Sequence, residues 1–130
     1  MIMTTEHPAD LPPLRDRLRT ALPVAMKARD RSATAALRSA LAAIDNAEAV
    51  DASDVTAGAI ESSAVGLGTA ERARRVLTEA DIVSIVRAEI DDRRTAATEY
   101  DAHSGGADRA ETLRAEANTL EGFLGGGARD

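Results

Sequence analysis

The chain has 130 residues and a formal net charge of −6, which leaves room for one small domain and argues against wholesale nucleic-acid binding. Cysteine is absent, which excludes disulfides and thiolate metal sites. No apolar run approaches the ~20 residues of a membrane span, and the opening MIMTTEHPADLPP lacks a secretory signal pattern. Apolar residues make up 44% of the chain, but much of that is Ala, and only Tyr100 and Phe123 are aromatic. A core of Leu, Ile, Val and close Ala contacts suits helix on helix far better than a sheet. Composition therefore predicts a soluble, cytoplasmic, all-α protein with no membrane association.

In chain order, residues 1–10 are polar and Pro-containing and are expected to fray. Pro12 and Pro13 suit a helix start, because the first turn has no intrahelical use for its N–H groups. Leu14, Leu18, Ala21, Leu22, Ala25 and Met26 follow at helical spacing. Pro23 removes one backbone bond inside this pattern, and since the stripe carries on to Met26 a kink is expected rather than a break. Ala28 to Ser32 form a polar hinge, with Asp30 or Ser32 as the next N-cap. Ala33, Ala36, Leu37, Ala40, Leu41 and Ile44 then make a second stripe, ending near Glu48.

Residues 50–68 mix small side chains, Gly and acids without a sustained period, and are expected to form a flexible connection. Thr78 with Asp81 matches a capping box at the head of a third helix, whose stripe is Ile82, Ile85, Val86 and Ile90. His103-Ser104-Gly105-Gly106 is a linker short enough to make the flanking helices antiparallel neighbours. The fourth helix carries Ala110, Leu113, Ala117, Leu120 and Leu124, alternating steps of three and four as packed helices require. Residues 125–130, opening on three glycines, read as a flexible tail. The expected architecture is a single domain spanning 1–130: an all-α bundle of about four main helices in two hairpins, with a flexible middle loop.

No constellation for catalysis is visible. His7 lies in the polar start and His103 in a turn, without a second His or clustered carboxylates at ligand spacing. No nucleophile elbow, phosphate loop or dinucleotide fingerprint occurs. No catalytic residue, cofactor site or metal site is assigned. Charge is more informative. Between Leu14 and Ala40 seven basic residues face only Asp16 and Asp30, a local net of +5 in an acidic chain, and such asymmetry marks a surface suited to an acidic partner. Lys27, Arg31 and Arg38 stand at i, i+4 and i+11, close to one side of the helices if the hinge keeps them in phase. With Arg93 and Arg94 they are the candidate nucleic-acid or partner-binding residues.

The run Leu22-Pro-Val-Ala-Met26-Lys27-Ala-Arg-Asp30, followed by Thr34-Ala-Ala-Leu37-Arg38 and closing on Ile44 and Glu48, resembles the opening of the GatB/YqeY family. There an A-M-K-x-x-D segment leads into a helix carrying L-R and ends near a glutamate. Arg93-Arg94 stands where that family has a basic pair, Tyr100 where it has an aromatic before an A-G-R-x-D turn, and Glu116 with Glu121-Gly-Phe123-Leu124 resembles its close. The likeness covers about residues 14–48 and 77–124. It departs at Ser104-Gly-Gly106-Ala-Asp108-Arg109, where Gly106 replaces the arginine, at Asp91 and Asp92, which replace lysines, and at Gly125, which replaces a proline. Relatives continue into a second helical subdomain, so the chain is similar to the family's N-terminal portion standing alone.

The resemblance implies a YqeY-like helical protein grouped with carbon–nitrogen ligases that use glutamine as amido-N-donor. It implies an accessory role, engaging tRNA or a tRNA-modifying partner such as a tRNA-dependent amidotransferase, with the chemistry in other domains. Three functions follow as expectations: a non-catalytic binding module for tRNA or such a partner, a component of amide transfer, or a protein–protein interaction module.

Overall fold

The computed structural model describes residues 11–61 and 76–125, with side chains placed over 11–49 and 76–125. Four helices occur among the described residues, and no strand: α1 Leu14–Lys27, α2 Arg31–Glu61, α3 Glu79–Asp101 and α4 Ala107–Gly125. The all-α helical bundle expected from composition is present. The stretch 1–10 expected to fray lies outside the described residues, as do 126–130 of the expected tail. Gly125 itself closes α4.

Each helix end has a local cause. Pro13 cannot offer a side-chain cap to α1, and the buried Leu14 amide instead donates to Glu79 Oε2 at the head of α3, 2.8 Å away. The helix runs on through Pro23 without a break. It ends in a Schellman turn: the Asp30 amide donates to the Ala25 carbonyl and the Arg29 amide to that of Met26, with Arg29 in the left-handed region at φ 60°. Asp30 then caps α2, its Oδ1 accepting from the Ala33 amide at 3.0 Å. The α3 capping box forms as its sequence requires, Thr78 accepting from the Asp81 amide and Asp81 from the Thr78 amide. Between α3 and α4, Gly106 lets the chain fold back onto Tyr100, whose carbonyl a Cβ at that position would strike.

Helix α2 differs from expectation. The sequence period ends it near Glu48 and leaves a loop over 50–68, yet helical backbone continues to Glu61, 31 residues in all. The small residues behind the loop expectation, Ala52, Ala57 and Ala59 among them, are also the strongest helix formers. A weak apolar period argues against burial, not against helix. Residues 62–68 lie outside the described residues.

The helices pack in two hairpins, α1 on α2 and α3 on α4, with α2 lying against both α3 and α4. The core takes Leu14 and Leu18 from α1, Leu37, Ala40 and Ile44 from α2, Ile82, Val86 and Ile90 from α3, and Ala117 and Leu120 from α4. Most of these are the stripe residues. Met26 is the exception: expected in the α1 stripe, it is 46% exposed, because the Schellman turn ends the helix beside it and carries the chain away. Beyond the main core, Ala97, Ala110 and Leu113 form a small second cluster along the α3–α4 hairpin.

Candidate anion-binding site at the helix joint

Polar side chains tie the helices together and decide which cations are left for a partner. Arg15 on α1 grips both oxygens of Glu48 on α2, at 2.9 and 3.0 Å, and reaches Asp45 at 2.8 Å. The hydrogen bond to Glu48 drives its pKa above the ordinary guanidinium value, outweighing desolvation. Arg17 donates to the carbonyls of Pro12 at 2.9 Å and Phe123 at 3.0 Å, and so sets a positive charge at the C-terminal end of α4.

Arg93 is committed in the same way. Its guanidinium donates to Glu89 Oε1 at 2.7 Å and to Glu116 Oε1 at 2.9 Å, and Ser39 of α2 donates to that same Glu89 oxygen at 2.7 Å. Glu116 is 6% exposed, so this chain of contacts links α2, α3 and α4 across partly buried ground. Burial works to lower the Arg93 pKa, but hydrogen bonds to the two carboxylates hold it raised. Arg94 is more exposed and spans to α4, donating to Glu121 at 3.1 Å and Asn118 at 3.2 Å.

Two of the five candidate residues come together. Arg31 and Arg38, one face of α2, line an open depression of about 600 Å³ with Met26, Arg29, Thr34 and Ala35. Among the described residues Arg29 and Arg31 make no ion pair, and the Arg38 side chain hydrogen-bonds only to the Met26 sulfur, 3.7 Å from Nη2. Lys27 is exposed in the last turn of α1 but does not line the depression. The phase expected across the hinge is lost because the left-handed Arg29 turns the chain before α2 begins. Arg93 and Arg94 lie elsewhere, paired into α4. Sequence spacing missed Arg29; its signal was position, the residue just before the Asp30 cap at which a helix-ending turn places its left-handed residue.

Three guanidinium groups without carboxylate partners suit a phosphate or a row of phosphates, since each offers a planar fork of donors. The N-terminus of α2 adds little, because Asp30 already occupies the Ala33 amide. A second concavity of about 620 Å³ runs between α1 and α4 over α2, with Ala21, Val24, Leu37 and Phe123 on its walls and Asp16 and Arg17 among its lining. It is mainly apolar. His103 is exposed in the α3–α4 linker, and His7 lies outside the described residues. Among the described residues no three of His, Asp and Glu gather into a metal-holding group, and no helix is long and apolar enough to cross a membrane.

A scan of protein-family models finds no match to this chain, and neither the curated proteins nor the solved structures yield one.

Proposed function

We propose that this chain is a non-catalytic helical binding module of the GatB/YqeY type, which engages tRNA or a similarly phosphate-rich partner through the basic joint between α1 and α2. The observation that carries the reading is the contrast between two sets of arginines. Arg15, Arg93, Arg94 and Arg114 all meet carboxylates of neighbouring helices or turns, whereas Arg29, Arg31 and Arg38 share one depression with no carboxylate partner among the described residues. In a chain of net charge −6, an unneutralised basic cluster is a place where a polyanion is locally attracted.

A gel-shift titration with total tRNA at low salt tests it. The full chain is expected to shift tRNA, and Arg31→Glu with Arg38→Glu is expected to abolish the shift while far-UV circular dichroism stays unchanged, both residues being exposed. Affinity should fall steeply with added salt as phosphate counterions are released. A shift indifferent to both substitutions would remove the joint from the site.

A further inference from the structure

Arg29 is the residue through which the joint departs from what its backbone would choose. The Schellman turn that ends α1 needs a left-handed residue between Ala28 and Asp30, and glycine is the residue that adopts this conformation without crowding its Cβ. This chain has Arg there, at φ 60°, so the turn carries a strain that the simplest substitution would remove. Nothing among the described residues compensates for it. Arg29 is exposed and makes no ion pair or side-chain hydrogen bond among the described residues. What the side chain does do is line the depression with Arg31 and Arg38.

We infer that Arg29 is a phosphate-contacting residue, held in a strained left-handed turn so that its guanidinium completes a three-arginine grip on the phosphodiester backbone of RNA. The inference deepens the proposed function and rests on it. Arg31 and Arg38 stand seven residues apart on one helix face, roughly 10 Å along the axis. Arg29 reaches the same depression from the turn instead of the helix, so the three donors do not lie in a single row. Their surroundings, Met26, Thr34 and Ala35, include no aromatic on which a base would stack and no amide side chain to read a base edge. With arginines as its only charged donors, such a site is suited first to phosphates.

The test uses the sign of two effects. Arg29→Gly and Arg29→Asn both suit the left-handed position, so both keep the fold while removing the guanidinium. Each is expected to raise the thermal midpoint, Arg29→Gly by about 3–5 °C, and to weaken tRNA binding about tenfold at ~50 mM salt, with the slope of log affinity against log salt shallower by about 0.9. Arg109→Ala, an exposed arginine in the first turn of α4 and outside the depression, should leave affinity within twofold. Gain of stability with loss of binding supports the inference. If the unaltered chain binds tRNA and Arg29→Gly binds it equally well, the inference fails and the proposed function stands. If both variants lower the midpoint, Arg29 is structural and the inference fails. If the unaltered chain binds no tRNA at any salt, the proposed function fails and takes the inference with it.

Discussion

The Leu14 amide and the Glu79 carboxylate meet at 2.8 Å although 65 residues separate them. The contact closes the N-terminus of α1 with the first residue of α3, because Pro13 has no side chain able to do so. Leu14 is fully buried, so its N–H has no other partner at hand, and a buried donor left unpaired costs about 1–3 kcal/mol. Glu79→Ala should therefore lower stability by about that amount in a urea titration. Glu79→Gln, which keeps an acceptor oxygen, should lose less. Equal losses would show that the carboxylate acts through charge alone.

Arg93 and Glu116 should behave as a coupled pair. Removing Arg93 strands a nearly buried carboxylate, and Arg93→Ala is expected to cost about 3–5 kcal/mol. Replacing both partners with apolar residues of similar size, Arg93→Met with Glu116→Leu, should cost much less than the sum of the single changes. A double-mutant cycle by chemical denaturation measures the difference, and simple additivity would contradict the contact.

Leu37 and Leu120 lie at the centre of the core, 1% and 0% exposed. Either one replaced by Ala should cost about 2–5 kcal/mol through lost burial and the cavity left behind. That is a large share of the ~5–15 kcal/mol that holds a domain of this kind folded. Thermal unfolding should show the loss as a lower midpoint with a cooperative transition retained.

Gly106 and Gly105 adjoin but are needed for different reasons. A Cβ on Gly106 would collide with the Tyr100 backbone, whereas one on Gly105 meets open space and suffers only the left-handed φ of 84°. Gly105→Ala is expected to cost about 1 kcal/mol. Gly106→Ala should cost more, since backbone must move, and should loosen the α3–α4 hairpin, read by hydrogen exchange at Ala110. The reverse order would mean that the turn relaxes at Gly106.

Glutamine hydrolysis is expected to be absent from the isolated chain, assayed with tRNA and ATP present. Such chemistry needs an activated nucleophile beside a base. Cysteine is absent, and Ser39 donates to a Glu89 oxygen that the Arg93 guanidinium also holds, so the hydroxyl and its carboxylate neighbour are both committed to ties between helices. Turnover lost on Ser39→Ala would sink the accessory reading.

The sequence by itself determined the helices, their stripes, the Thr78–Asp81 capping box and the short linker after α3. All of these rest on neighbours within a turn or two, where spacing and cap chemistry act directly. It also marked Arg31 and Arg38, because a charge imbalance is visible without coordinates. Only the tertiary structure decided which cations remained available. Arg93 and Arg94 read as a basic pair, yet besides Glu89 on the same helix their carboxylate partners are Glu116 and Glu121, 23 and 27 residues away on another helix. The extent of α2, the exposure of Met26 and the left-handed turn at Arg29 were equally out of reach. A weak apolar period leaves helix length open, and a stripe cannot show where a turn will carry the chain off it. The place of Arg29 before the Asp30 cap hints at a helix-ending turn, but with no glycine there only the backbone dihedral shows it to be left-handed.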